Sequence, residues 1–237
     1  MKLTAAPNAE KLTAAMNPRH RLIALAAAGI LLSGCGSSSN DSSSTSVAGS
    51  ATTTAPSQSS GAGQIGFEGV AIERGPDLAA PGTTGTSAVD GIQCGATEQL
   101  AYHIHAHLTV YVNGQPRALP GGIGIPGSQV TPTGEGPVAS GGQCIYWLHT
   151  HAPDGVIHIE SPTQRIYTLG NFFDVWRQPL SGAQVASAKG TVTTFVNGKP
   201  WTKSPRMIPL DPHAVIQISV GSPVVPFHGM SWSGLQL

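Results

Sequence analysis

Apolar and polar residues alternate without a break along residues 103 to 112, HIHAHLTVYV. The even positions are apolar, whereas the odd positions are polar and begin with His103, His105 and His107. An alternation with a period of two predicts a β-strand that turns one face toward the core. The same pattern therefore gathers three imidazoles on the opposite face of that strand.

Two Asn-Gly pairs predict tight hairpin turns. Asn113 and Gly114 directly follow this strand, and a type I′ turn needs positive φ at both central positions, which Asn and Gly tolerate. The stretch TVTTFVNGKP at 191 to 200 repeats the strand, turn and proline of HLTVYVNGQP at 107 to 116. We interpret this repeat as a recurring hairpin.

A second group of histidines lies on two short alternating segments, CIYWLHTH at 144 to 151 and VIHIE at 156 to 160. Asp154 and Gly155 lie between them and favour a turn. The two segments are therefore predicted to form a second hairpin.

A two-residue turn would place His151 opposite His158 and His149 opposite Glu160. A shift of the register by two residues would change these partners but not the face they share, because side chains alternate with a period of two. The other face, which we expect to be buried, is apolar and holds Tyr146, Leu148, Ile157 and Ile159.

The rest of the folded part predicts one helix and one further long strand. In TLGNFFDVWRQPLS, apolar residues recur at helical spacing and Pro179 ends the run. Near the C-terminus, apolar residues alternate again from Ala214 to Val220, which predicts a strand. Residues 120 to 143 are rich in Gly and Pro and are predicted to be a long loop with at most one short strand.

These elements predict a mainly β fold with one short helix, an α+β arrangement. We expect a single domain over residues 86–237, built as an antiparallel sandwich-like or barrel-like structure. About 150 residues are enough for one domain with a sizeable core.

The N-terminal 34 residues predict a lipoprotein signal peptide. Arg19 and Arg21 precede the apolar run LIALAAAGILL, which is too short for a membrane-spanning helix of about 20 residues and fits the apolar region of a secretory signal. The tetrapeptide that follows, LSGC, ends at Cys35 and resembles the lipobox of bacterial lipoproteins. The alternative is an ordinary secretory signal with a coincidental cysteine, and translation could begin at Met1 or at Met16.

The lipobox resemblance implies cleavage before Cys35, lipidation of its thiol and acylation of the new amino group. Two or more acyl chains are needed for stable anchoring. The resemblance therefore implies a protein held in the cell membrane on its extracytoplasmic face, with the lipid membrane as its partner. Residues 35–85 begin with a tract of Ser, Thr, Gly and Ala, and we predict that they form a disordered tether.

The charge balance does not indicate a protein that binds nucleic acids. The full sequence has 12 basic and 12 acidic residues. Removal of the signal would take away four basic residues and one acidic residue, which leaves about eight and eleven. A mildly acidic chain without basic clusters has no surface that suits a phosphate backbone, so nucleic acid is not an expected partner.

With Cys35 lipidated, Cys94 and Cys144 remain as a pair. Outside the cytoplasm such a pair predicts a disulfide. A metal site that uses the two thiolates is the alternative.

The six histidines and one glutamate on the two hairpins predict a metal site. Neutral imidazoles two positions apart on a strand are about 6.6 Å apart at Cα and can converge on one ion. Imidazole with carboxylate favours Zn or Cu over Ca or Mg, and a softer donor from His228 and Met230 would favour Cu. The candidate ligands are His103, His105, His107, His149, His151, His158 and Glu160.

Two other interpretations of the histidines remain open: a structure that responds to protonation, or no special role. His213 follows a proline at a turn and is expected to be structural. Asp154 is expected to serve its turn.

Three functions follow from this site. The first is a membrane-anchored, extracytoplasmic metal-binding lipoprotein. The second is a metal-dependent enzyme at the same cluster, a Zn hydrolase or a Cu or Fe oxidoreductase, with Glu160 as a possible general base. The third is an envelope scaffold with incidental histidines. HEXXH, GXSXG and P-loop patterns are all absent from the sequence, which favours the binding protein over the enzyme.

Overall fold

The computed structural model describes residues 63–82, 85–235 and Leu237. The predicted signal peptide, Cys35 and the first part of the predicted tether lie outside these residues. Among the residues described, no helix is long and apolar enough to cross a membrane.

The strands are β1 (Cys94–Gly95), β2 (Tyr102–Val112), β3 (Gln115–Arg117), β4 (Ser128–Thr133), β5 (Gly136–Gly141), β6 (Ile145–Tyr146), β7 (Leu148–His149), β8 (Val156–Ser161), β9 (Leu180–Ser181), β10 (Gln184–Val185), β11 (Ala188–Lys189), β12 (Val192–Val196), β13 (Lys199–Trp201) and β14 (Val215–Val220). One α-helix, α1 (Leu169–Trp176), and one 3-10 turn (Pro205–Met207) accompany them. The mainly β prediction with one short helix is confirmed.

Strand β2 lies in the middle of a seven-stranded sheet with the order β13, β12, β14, β2, β8, β7, and β3 also pairs with β2. The sheet does not close on itself within the described part of the chain, so the sandwich-like form fits and the barrel-like form does not. One pairing departs from the antiparallel prediction, because β14 runs parallel to β2 with Val215 beside His107. Parallel neighbours need a long connection, which the intervening chain supplies.

Both predicted Asn-Gly hairpins are confirmed. Val112 pairs with Gln115 across the first turn, and Val196 pairs with Lys199 across the second. The asparagine and the glycine of each turn have positive φ, as a type I′ turn requires.

The helix is confirmed with its ends defined by local chemistry. Thr168 is its N-cap, and its side chain accepts a hydrogen bond from the backbone of Asn171, whose own side chain accepts one from the backbone of Thr168. Arg177 ends the helix in a left-handed conformation. Phe172, Phe173 and the other apolar residues of α1 join one continuous core with the apolar face of the large sheet.

Residues 120–143 do not form a mere loop. They contain β4 and β5, six-residue strands that pair as a separate two-stranded hairpin. Pro132 lies opposite Pro137 in this pair, and an edge strand tolerates proline because its outward amide needs no partner. The prediction of a long loop with at most one short strand, which was based on the Gly and Pro content, is therefore wrong for this segment.

The sequence predicts that the folded domain starts at residue 86. In the structure, the folded part begins earlier. Ile65 bridges Ala71, and the turn between them forms a small hairpin over residues 64–72, which we call the covering hairpin. Gly69, at positive φ, lets this turn close. Leu78, further along, is 2% exposed and packs in the core, so this part of the predicted tether is bound to the domain.

The predicted disulfide is present. Cys94 and Cys144 are bonded, with their Cα atoms 5.4 Å apart and a sequence separation of 50. Because β1 pairs with β6 beside this bond, the disulfide holds the chain just before β7 and its histidine.

Candidate metal centre

Three neighbouring strands bring the two histidine segments together. His103 pairs with Glu160 and His105 pairs with His158 between β2 and β8. His149 pairs with His158 between β7 and β8. The histidines thus share one face of the sheet, as the alternation predicts.

The register of the second hairpin differs from the predicted one by two residues. His149, and not His151, lies opposite His158, and His151 belongs to the loop that follows β7. Thr150 and His151 form backbone hydrogen bonds with other segments: Thr150 with Gly122 and Ile123, and His151 with Ala139. These bonds pull the chain away from β8 before the predicted two-residue turn can close.

The histidine face is largely buried, because the covering hairpin lies against it and places Glu68 beside His158, with Glu68 Oε1 2.9 Å from His158 Nε2. His149 is 0% exposed and Glu160 is 2% exposed. His103 keeps 38% of its side-chain surface exposed, so solvent reaches the cluster from that side.

Four side chains bring their ligand atoms close together, and we call them group one: His103, His105, His158 and Glu160. His105 Nε2 lies 3.0 Å from His103 Nε2 and 3.2 Å from His158 Nδ1. Glu160 Oε1 lies 3.2 Å from both His103 Nε2 and His158 Nδ1. A tetrahedral zinc ion with bonds of about 2.0 to 2.1 Å places its ligand atoms about 3.3 Å apart, close to these distances.

A second set, group two, overlaps the first and contains His149, His151, His158 and Glu160. His149 Nε2 lies 3.1 Å from His151 Nε2 and 3.9 Å from Glu160 Oε1. His149 Nδ1 donates to the carbonyl of Tyr146 at 2.9 Å, which leaves the Nε2 lone pair for an ion. The two groups share His158 and Glu160.

Three of the unshared histidines, His105, His149 and His151, have lowered pKa values that favour the neutral form that binds metals. Burial, and then the charge of His158, lowers the pKa of His105 to about 3. Burial and the same charge place the pKa of His149 well below its ordinary value. Burial also lowers the pKa of His151, against the opposing effect of nearby carboxylates. Neutral imidazole offers one lone pair and releases no proton when it coordinates.

His158 is the exception. Burial alone would lower its pKa, but hydrogen bonds to Glu160 and Glu68 and the charges of these two residues raise the pKa to about 9. In the metal-free protein at neutral pH, an imidazolium therefore lies between two buried carboxylates. A metal ion would take the place of that proton.

Two carboxylates near the cluster were missed from the sequence. Glu98 Oε1 lies 3.3 Å from His151 Nε2, and Glu68 contacts His158 from the covering hairpin. Glu68 is the first ionisable side chain after Asp41, within a tract otherwise without charge, and that isolation was the available signal.

His107 does not join either group. Its Nε2 donates to the carbonyl of Asp154 at 3.0 Å, and the hydroxyl of Thr109 lies 3.5 Å from its Nδ1. Burial lowers the pKa of His107 to about 4, with the bond to Asp154 opposing the shift. His107 therefore supports the loop before β8. The side chain of Asp154 also accepts from the backbone of Val156, as expected of a turn residue.

Replacing His107 with Gln, which can still donate to the Asp154 carbonyl, is expected to reduce the loss of stability in acid. His107 has a pKa of about 4 when folded and about 6.5 when unfolded, so its contribution is present above pH 6.5 and is lost as pH falls to 4. The loss amounts to about 3 kcal/mol. Denaturant unfolding at pH 7 and pH 4 measures it, and an unchanged pH dependence in the variant would contradict this role.

The remaining candidate donors lie elsewhere. His213 stacks on Trp232 with ring centroids 4.8 Å apart, which fits a structural role. His228 and Met230 line a different cleft and belong to neither group, so the softer donor set that would favour copper is not assembled.

An open cavity of about 460 Å³ lies beside the cluster. Its walls include His103, His105, His151 and His158, together with Phe67 from the covering hairpin. A small molecule could therefore reach the ligand atoms of group one.

No family model matches the chain, and no curated protein or solved structure matches it. Its class is defined by fold and site: a mainly β domain, with one disulfide, whose buried His/Glu groups could hold a metal ion.

Proposed function

We propose that this chain is a lipid-anchored, extracytoplasmic metal-binding protein that holds Zn or Cu in group one, through His103, His105, His158 and Glu160. The observation that carries the proposal is the near-contact of these four ligand atoms at 3.0 to 3.2 Å.

The chemistry of the four donors supports a transition metal. Three imidazoles and one carboxylate suit Zn and Cu, whereas Ca and Mg prefer oxygen alone. The outer contacts also fit, because Glu68 accepts from Nε2 of His158 and so directs Nδ1 of that ring to the ion.

The disulfide and the sequence support the location. A disulfide is typical of proteins outside the cytoplasm, where thiols are not kept reduced. The resemblance of LSGC to a lipobox supports a lipid anchor at Cys35, which lies outside the described residues.

The test is metal binding by the full-length protein, purified in detergent and stripped with a chelator. We expect the protein to bind at least one equivalent of Zn or Cu at micromolar concentration. We also expect a gain in stability of about 2.7 kcal/mol when free metal is a hundredfold above Kd, because the ion binds only the folded state. Mass spectrometry of bound metal and thermal unfolding measure the two effects.

Two variants of the same strand make the test specific. His105→Ala removes a ligand of group one and is expected to lose the ion held there, whereas His107→Gln lies two residues away on the same face and is expected to keep it. If the wild-type protein binds neither Zn nor Cu at micromolar concentration, the proposal is wrong and a scaffold with hydrogen-bonded histidines is left.

The cavity beside the cluster favours a second candidate, a metal-dependent enzyme. Three histidines and a bound water make an open zinc site, in which Glu160 would act as the general base instead of a ligand. Turnover of a model ester by the zinc-loaded protein, lost in Glu160→Gln while zinc remains bound, would favour this candidate.

A further inference from the structure

Group one and group two share two residues, and the kind of residue they share is informative. His158 and Glu160 belong to both groups, whereas each group has two histidines of its own. Imidazole and carboxylate are side chains that carry two ligand atoms pointing in different directions. A shared residue of either kind can therefore serve two ions at once.

We infer that the cluster holds two metal ions, one in each group, bridged by the ring of His158 and the carboxylate of Glu160. This inference rests on the proposed function and extends it. Each ion would receive two unshared imidazoles, one nitrogen of His158 and one oxygen of Glu160. That makes four ligands for each ion, the number that tetrahedral zinc sites use.

A second ligand atom of the shared residue Glu160 also supports two ions. Glu160 Oε1 lies 3.2 Å from His103 Nε2 and His158 Nδ1 and 3.9 Å from His149 Nε2, whereas Glu160 Oε2 is buried and has no hydrogen-bond partner among the described residues. A buried carboxylate oxygen without a partner costs about 1 to 3 kcal/mol or more. A second ion bound to Oε2 would satisfy it.

The ring of His158 is placed between the two groups. Its Nδ1 faces His105 and Glu160 of group one. On the side of group two, the ring of His149 stacks on it at 5.1 Å between centroids, and the ring of His151 meets it edge-on at 4.7 Å. The other nitrogen, Nε2, lies 2.9 Å from Glu68 Oε1, and a second ion on Nε2 would replace the proton now shared with Glu68.

The charges of the cluster match two divalent ions. Glu68, Glu98 and Glu160 each have an oxygen within 3.3 Å of a histidine nitrogen of the cluster. A His158 ring bound through both nitrogens has lost both protons and adds a fourth negative charge. Four negative charges balance two divalent ions; Glu68, Glu160 and His158 are buried, whereas the Glu98 side chain is 39% exposed.

The first test counts ions. Full-length protein in detergent is stripped, loaded with Zn(II), dialysed and analysed for bound zinc. We expect two ions per chain in the wild type, one in His105→Ala, one in His151→Ala, and two in the control His228→Ala, whose exposed side chain lies outside both groups. One ion in the wild type would overturn this inference and leave the proposed function standing, and no ion would overturn both.

The second test examines the bridge itself and does not depend on the variants folding well. Two Cu(II) ions joined through one imidazole are magnetically coupled. At low temperature, wild-type protein with two bound Cu(II) is therefore expected to give clearly less electron paramagnetic resonance signal than its copper content. A signal equal to two isolated Cu(II) ions would contradict the bridge.

Discussion

Replacing His158 with Ala is expected to lower the free energy of unfolding of the metal-free protein by about 3 to 5 kcal/mol. The substitution leaves Glu68 and Glu160 buried without the imidazolium between them, and breaking a buried ion pair on one side has a cost of this size. The same variant is expected to bind no metal in either group, because His158 belongs to both. Denaturant unfolding in a chelator at pH 7 and bound-metal analysis measure the two effects.

A matched variant separates the loss of charge pairing from the loss of packing. Adding Glu68→Gln and Glu160→Gln to His158→Ala removes the two unpaired charges and is expected to restore most of the lost stability, without restoring metal binding. If His158→Ala alone unfolds within about 1 kcal/mol of the wild type, the buried ion pair does not exist as described.

Removing the disulfide is expected to be about as costly. For a closed loop of about 50 residues, the chain-entropy model gives about 4 kcal/mol, and native disulfides of small domains are typically worth 2 to 5 kcal/mol. The paired variant Cys94→Ala with Cys144→Ala is expected to unfold at correspondingly lower denaturant concentration. Because the bond lies just before β7, we also expect its loss to make the position of His149 less well fixed than that of His105.

Denaturant unfolding of the paired variant beside the oxidised wild type provides the measurement, and a chemically reduced wild type is the control. The reduced wild type and the paired variant should agree, since both lack the same covalent link. A difference of less than about 1 kcal/mol between the oxidised wild type and the paired variant would show that the loop is already ordered in the unfolded chain.

The sequence predicted the local features of the fold. Each of these features depends on residues next to one another, so a single segment contains the necessary information. They are strand β2, the turns at Asn113 and Asn197, and the helix after Thr168. The pairing of β14 with β2 could not be predicted, because it joins segments far apart in sequence whose alternation suits either direction.

The candidate site was predictable as a face but not as a set of ligands. Alternation with a period of two placed His103, His105, His158 and Glu160 on one side of the sheet. It could not show that His107 would instead bond to the Asp154 carbonyl, because that contact depends on the loop before β8.

The covering hairpin was missed for a different reason. It directly follows the Ser- and Gly-rich tract, and although five of its nine residues are apolar, it is too short to show the sustained alternation that predicts a strand. Its order comes from hydrogen bonds within the hairpin and from the contacts of Glu68 with His158 and of Phe67 with His151, which no local pattern reveals.

The central place of β2 has a kinetic consequence. Two of its three partner strands, β8 and β14, come from distant parts of the chain, so the sheet can form only after large loops have closed. We therefore expect slow refolding, with a rate that added Zn does not raise, since the ligands on β2 and β8 meet only when this late pairing is complete. The ion would then stabilise the protein by lowering the unfolding rate of the folded structure.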